Sequence, residues 1–386
     1  MKTHNYCFYS YFDTHKLKTD FGGKIRLMSK KVAIGLSGGV DSATSAQLLL
    51  DQGYDVTGFY LSGLYPGSAQ EAAIADVRQV AAHLGIEAKI VDVSAQSEIL
   101  RAYFVETYRA GLTPNVCTVC NRELKFGFFF EYALSQGYEA VATGHYARLQ
   151  KRAGKQFLQT ACDERKDQSY FLGLVAEDVW EHVLFPAGGY HKSEIRQIAT
   201  ERGIPVAHKA ESMDVCFLQS GRVRDFLQAE IASQPGEIVD GAGKVLGQHR
   251  GLQFYTIGQR QGLDIQPTTP QTSVYYVRAK DAASNRLIVG TAAQLRQKQI
   301  AWKNATARLQ AELTLTPDVT QWRARIRHQG ELLPVASIAS QGETGVVNLA
   351  APAWGVSPGQ FVVFYAPAAN GDGWLVMGAA QIDEWR

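Results

Sequence analysis

The sequence predicts an α/β protein: an N-terminal doubly wound parallel sheet, then a small central module and a C-terminal antiparallel β-barrel. Three observations lead there. Strand-like runs at 31–36, 55–61, 88–93 and 140–145 alternate with helical stretches near 41–52, 70–84, 95–110 and 121–136. From about residue 235 the texture turns glycine-rich with short strand-like pieces, as in "GEIVDGAGKVLGQHRGLQFYTIGQRQGL". After about residue 300, alternating runs at 322–329, 331–338, 344–350, 359–365 and 374–382 are separated by turn residues, the pattern of a small antiparallel barrel or sandwich. These shifts place domains at 29–220, 221–295 and 296–386, with residues 1–28 as an extension ahead of the first strand.

The chain has 386 residues, 46% hydrophobic and 20% charged, enough for two or three domains with a large core. Its net charge of +2 decides nothing about nucleic acid, because a basic face can hide inside a balanced total. No apolar stretch approaches the ~18 residues that span a membrane. The five cysteines, Cys7, Cys117, Cys120, Cys162 and Cys216, are odd in number and sparse, which predicts a reducing, cytoplasmic setting. Residues 1–27 lack the apolar core of a secretory signal and carry Asp13 and Asp20, unlike an organellar presequence. Cys7 falls there and is expected to carry no chemistry.

The first strand ends at "GLSGGVDS", Gly35 to Ser42, and a helix follows. In a parallel sheet, ligands bind at the C-terminal ends of strands, and Tyr60-Leu61 and "TGHYAR" (143–148) end strands as well. A glycine turn at a helix N-terminus cradles an anion with backbone N–H groups, and Ser37 and Ser42 add hydroxyls. The loop lacks both the lysine of a P-loop and the third glycine of a dinucleotide fingerprint. Asp41 would repel a bare phosphate, which a Mg²⁺ ion bridging carboxylate and phosphates would resolve.

"SGGVDS" resembles the PP-loop of the ATP pyrophosphatases, which adenylate a substrate and release pyrophosphate. With "TPNVCTVCNRELKFG" (113–127), "ATGHYAR" (142–148), "KDQSYFL" (166–172), "SMDVCF" (212–217) and "GLQFYTIGQRQGL" (251–263), the chain from about 31 to 386 resembles the tRNA-specific 2-thiouridylases. The resemblance implies 2-thiolation of the wobble uridine of tRNAs for Lys, Glu and Gln. ATP would activate the uracil 2-oxygen as an adenylate. Gly35, Leu36, Ser37, Gly38, Gly39, Val40, Asp41 and Ser42 would hold its phosphates, with Leu61 and Gly144 near the nucleotide. Another PP-loop ligase, or an RNA-binding protein using nucleotide structurally, would leave two motif cysteines without a task.

By the same resemblance Cys216 carries a persulfide and Cys120 is the second, nucleophilic cysteine. Sulfur would come from a cysteine desulfurase or a persulfide relay protein. A thiolate is needed near neutral pH, and Arg122, Lys125 and a helix N-terminus expected near Asn121 are placed to favour it. The sequence departs from the family at Cys117, where many members have Asp, so the site reads C-x-x-C. Three thiols, Cys117, Cys120 and Cys216, could also hold a [4Fe–4S] cluster with one open iron, or Cys117 could resolve an oxidised Cys120.

Target-base contacts map to Asn115, Val116 and Cys117, with Asn115 suited to a flipped uracil edge. Lys166, Asp167 and Gln168 match a stretch that contacts the anticodon loop, and Arg327 and His328 an Arg-Tyr pair at the tRNA. Read as strand residues alone, Arg323, Arg325 and Arg327 form a solvent face, with Ala324 and Ile326 turned to the core.

Overall fold

The structure is a computed structural model that describes residues 15–19, 25–65, 67–211, 216, 223–265, 274–369 and 371–383. Cys7 and the residues flanking Cys216 in "SMDVCF" lie outside that set. The chain divides into two compact units: residues 1–97, 120–217 and 368–376 form the first, and 98–119, 218–367 and 377–386 the second. The stretch 98–119, which the sequence places in the N-terminal domain, belongs to the second unit.

In the first unit five parallel strands run in the spatial order Ala88–Asp92, Asp55–Ser62, Lys31–Gly35, Ala140–Ala142, Val183–Leu184. The Lys31–Gly35 strand pairs Lys31 with Asp55 on one side and Val32 with Ala140 on the other. Strand order reverses at this strand, so the crevice at its C-terminal end is the topological switch point where such sheets bind ligands. Val32, Ala33 and Ile34 are fully buried, as a strand covered on both faces requires. The helices Val40–Asp51 and Ser68–Leu84 pack Ala46, Leu49, Ala73 and Val77 onto the sheet. The fifth strand is too short for a periodic signal and was not predicted; Val183 and Leu184 are buried and pair with Ala142 and its neighbour.

In the stretch expected to lie ahead of the fold as an extension, His15–Thr19 pairs antiparallel with Ile25–Ser29. Also in the first unit, Arg148–Arg152 and Lys155–Gln159 form a hairpin, and Leu375 pairs with Gln159.

In the second unit a four-stranded sheet runs Val245–His249, Gly236–Val239, Arg286–Gly290, Tyr276–Asp281 around Ile238, Val277, Leu287 and Val289. The barrel strands run Arg296–Lys303, Thr344–Trp354, Leu333–Gln341, Arg323–Arg325, Phe361–Pro367 and Trp374–Ile382. Closure comes from Trp302 pairing with Ile382, which leaves no free edge. Arg296–Lys303 is the strand the sequence reading missed, since only Ile300 and Trp302 in it are buried apolar residues. Ala324 and Ile326 face the core as expected. Arg325 does not face solvent: it is buried, its guanidinium 5.3 Å from the centre of the Tyr365 ring, a covering an arginine makes at little desolvation cost. The expected strand 322–329 stops at Arg325, because the chain turns at Gln329 (φ 55°) and Gly330 N–H donates to the Arg327 carbonyl. Among the described residues no helix is long and apolar enough to cross a membrane.

Candidate functional site

The loop Gly35–Ser42 sits at the C-terminal end of the central strand. Gly38 takes φ 73°, a conformation that glycine adopts without strain, and a Cβ there would meet Ala73 and Asp76 at 3.0–3.1 Å. Lys209 Nζ donates to the Gly38 carbonyl at 2.9 Å, holding that turn. Ser42 Oγ accepts from Ser37 N–H and donates to the Gly39 carbonyl, both at 3.2 Å. Helix geometry leaves the first amides of Val40–Asp51 without an intrahelical acceptor. At Gly39 an added Cβ would meet only Ser37 Oγ, at 3.4 Å, so the loop is open on that side. The expected strand 140–145 ends at Ala142, which frees Gly144 to press its backbone on the loop. A Cβ on Gly144 would lie 2.7 Å from Ser42 N and 2.9 Å from Asp41 C. Gly144 is therefore a close-approach glycine that sets the loop. Leu36 and Val40 are buried beneath it, and Leu61 is half-buried at the end of its strand.

Asp41 is already partnered. Its carboxylate accepts from Tyr146 Oη at 2.8 Å and from Lys192 Nζ at 2.6 and 2.8 Å. The magnesium bridge expected from the sequence is therefore not needed to explain a carboxylate in this loop, because an ammonium group offsets its charge. Lys192 also reaches Glu211 at 3.1 Å, and Glu211 accepts from Lys166 at 2.8 Å. The Lys166 and Lys192 contacts hold Glu211 below the usual carboxylate range, while burial and Asp41 push the Tyr146 phenol up. No sequence signal joined residues 41 and 192.

Cys120 and Cys216 are both half-buried, and both act electrostatically on a residue the sequence reading missed, Tyr65. Burial, then Cys216 and, to a smaller degree, Cys120 push its phenol well up. Tyr60 is 2% exposed, its hydroxyl without a hydrogen-bond partner; burial and Cys216 raise its pKa too. Cys120 does not stand at a helix N-terminus, as was expected. The helix begins at Val116, where Asn115 Oδ1 accepts from Thr118 N–H at 3.2 Å, so the thiol near that N-terminus is Cys117. From Asn121 to Phe128 the helix widens to π geometry, and a Cβ on Gly127 would lie 2.8 Å from the Arg122 carbonyl. Such widened turns cluster at functional sites. Arg122 is ion-paired with Glu123.

Of the expected base contacts, Asn115 is 9% exposed and its amide also donates to Gln360 Oε1 at 3.0 Å, Val116 is buried, and Cys117 is exposed. Asp167, expected at the tRNA, is 2% exposed and clamps Ala161 N–H, Ser169 N–H and Ser169 Oγ. Burial of a carboxylate satisfied by three donors makes it a structural group. Gln168 Oε1 accepts from Tyr146 N–H at 2.9 Å. Arg327 is exposed, its guanidinium 5.9 Å from the centre of the Trp354 ring, and His328 is half-buried beside it in sequence. Among the described residues no three His, Cys, Asp or Glu side chains gather closely enough to hold a metal ion.

Three family models match in order along the chain. They are described as a tRNA methyl transferase HUP domain over residues 30–220, a tRNA methyl transferase PRC-barrel domain over 224–291 and an aminomethyltransferase beta-barrel domain over 293–382. The chain is 38% identical over 364 residues to the tRNA-specific 2-thiouridylase MnmA of Saccharopolyspora erythraea, covering 91% of this chain and 99% of that one. It is 38% identical to the enzyme of that name from Treponema denticola, over 87% of this chain and 94% of that one. The Trichormus variabilis relative, also so named, is 38% identical over 92% and 99%.

Proposed function

The chain belongs to the tRNA-specific 2-thiouridylase family of enzymes, and on that premise we propose that it thiolates carbon 2 of the wobble uridine of tRNAs for Lys, Glu and Gln. The observation that carries this reading is that Cys120 and Cys216, both half-buried, lie in the same compact unit as the phosphate loop. Two domain-model descriptions speak of methyl transfer. A loop of glycines and hydroxyls at a helix N-terminus suits polyphosphate, and two thiols suit sulfur relay, so the relatives' names describe this chemistry better.

ATP, with Mg²⁺ on its phosphates, converts the uracil 2-oxygen into an adenylate and releases pyrophosphate. The loop amides and the Ser37 and Ser42 hydroxyls bind the phosphates, and Gly144 keeps the loop in place. The terminal sulfur of a Cys216 persulfide attacks carbon 2 and expels AMP. The Cys120 thiolate then attacks the Cys216 sulfur, freeing the 2-thiouridine and leaving a Cys120–Cys216 disulfide. A dithiol reductant resets the pair, and a cysteine desulfurase or persulfide relay protein reloads Cys216. We assign Lys166 and Arg327 to tRNA phosphate, Lys166 by exchange from Glu211.

The experiment is single-turnover thiolation with a pre-formed persulfide. Cys216→Ser should release pyrophosphate yet make no 2-thiouridine, and Cys120→Ser should stall before product release. Thiolation by Cys216→Ser would defeat the reading. Iron that is required for turnover would point instead to cluster chemistry.

A further inference from the structure

Lys192 opens the helix Lys192–Glu201 and is only 9% exposed, so its ammonium group has been brought largely out of water. Ions are taken out of water at a cost that only close opposite charge offsets. Both Asp41 oxygens and Glu211 Oε1 supply that charge, and the Tyr146 ring lies under the amine at 5.7 Å. Lys166, Lys192 and, at 3.9 Å, Arg196 converge on Glu211, and Asp163 accepts from the Lys192 backbone N–H at 3.0 Å, so with Asp41 three cations meet three carboxylates. Through Asp41 this charge cluster stands at the first turn of a 12-residue helix whose preceding glycine loop is open at Gly39.

We propose that Lys192, 151 residues beyond Asp41, is the cation that holds the β- and γ-phosphates of ATP, with Asp41 and Glu211 as the tethers that set its amine at the loop. The inference rests on the reading of Gly35–Ser42 as a nucleotide site and adds to it the charged residue that the loop itself lacks. A P-loop carries its phosphate-binding lysine within the loop; here a distant helix brings one to the same place. Asp41 then has a reason to be in a phosphate loop: it orients the amine, and the amine offsets its charge. Lys209, donating to the Gly38 carbonyl, holds the loop backbone rather than the phosphates.

The test is calorimetric titration of the full chain with ATP, pyrophosphate and AMP in the absence of tRNA. Lys192→Met should weaken ATP and pyrophosphate about 10- to 100-fold, the worth of one charge-assisted contact, and AMP by less than about 3-fold. Lys192→Arg should keep most of the pyrophosphate affinity. In the double variant Asp41→Asn/Lys192→Met both charges of the pair are gone, so folding is not burdened by an unpaired ion. ATP binding should remain weak there. Recovery of wild-type ATP affinity in the double variant would show that Lys192 only neutralises Asp41 and would overturn the proposal. Equal losses for ATP and AMP would overturn it too, as a general structural effect. A wild type that binds neither ATP nor pyrophosphate would bring down the nucleotide reading itself, whereas a Lys192→Met protein that binds both like wild type would bring down this inference alone.

Discussion

Adding one methyl group at Gly144 or at Gly39 separates the stability of the phosphate loop from its ligand affinity. At Gly144 the new Cβ would lie 2.7 Å from Ser42 N, 2.9 Å from Asp41 C and 3.0 Å from Ser42 Cα. Those are backbone atoms, so no rotamer change relieves the clash, and the loop must retreat by about 0.7 Å to reach ordinary contact. Overpacking of that kind costs about 1–3 kcal/mol, and misplacement on the order of 1 Å costs about 100-fold in a positioned reaction. Gly144→Ala should therefore lower the melting temperature and also weaken ATP binding. At Gly39 the backbone, with φ −105°, accepts an L side chain, and the Cβ meets nothing closer than Ser37 Oγ at 3.4 Å. Gly39→Ala should melt like wild type yet lose ATP affinity, because its methyl group occupies the open side of the cradle. Gly189→Ala, where a Cβ meets nothing within 4 Å, is the control and should change neither. Differential scanning fluorimetry with and without ATP reads both quantities at once. Gly144→Ala with wild-type stability and ATP affinity would refute the close-approach argument; Gly39→Ala with undiminished affinity would refute the placing of the phosphates.

Three further expectations follow from particular contacts. Tyr65→Phe removes the hydroxyl on which Cys216 acts electrostatically; pyrophosphate release should stay within about twofold of wild type while sulfur transfer from a pre-formed persulfide slows about tenfold, and an unchanged transfer rate would leave Tyr65 a packing residue. Arg148 is 1% exposed and bonded to Asp372 and the Thr160 carbonyl, whereas Asp372 is 43% exposed. Asp372→Ala strands the buried guanidinium and should cost about 3 kcal/mol, more than Arg148→Met, after which the carboxylate can hydrate; denaturant titration orders the two. His145 is buried, with Nδ1 2.7 Å from Thr143 Oγ1, and burial followed by Lys125 holds its pKa well below 6.5. The unfolded chain then takes up a proton near pH 6.5 that the folded chain does not. This contribution is complete above that pH and is lost as pH falls below it, by up to about 1.4 kcal/mol per pH unit. His145→Gln should flatten the fall in stability between pH 7 and 5.5, and an unchanged slope would contradict it.

What the sequence made legible is what depends on local pattern. The alternation of buried strands and helices, the glycine turn and the motif cysteines can be read within windows of about ten residues, and four of the five parallel strands lie within a few residues of where the runs placed them. The rest depends on residues far apart or on signals that compete. Lys192 and Asp41 are separated by 151 positions, and a lysine opening a helix looks like any solvated lysine. Tyr65 follows the second parallel strand in a turn with no periodic signal. At Asn115 a local signal was present and was given a different use: Asn is a favoured N-cap, and its capping bond to Thr118 explains why the helix starts before Cys120 rather than after it. Arg325 was misplaced because alternation tells which residues share a face, not whether an aromatic ring waits there.

The central claim is tested most directly by measuring 2-thiouridine and pyrophosphate together. The purified chain, ATP, Mg²⁺, a persulfide donor and unmodified tRNA are combined without oxygen, and digested tRNA is analysed by mass spectrometry. The account predicts that wild type yields 2-thiouridine at the wobble position with one pyrophosphate per sulfur inserted, while Cys216→Ser yields pyrophosphate and no thiolated base. A Cys216→Ser protein that thiolates tRNA at the wild-type rate, or a wild type that thiolates without releasing pyrophosphate, would contradict it.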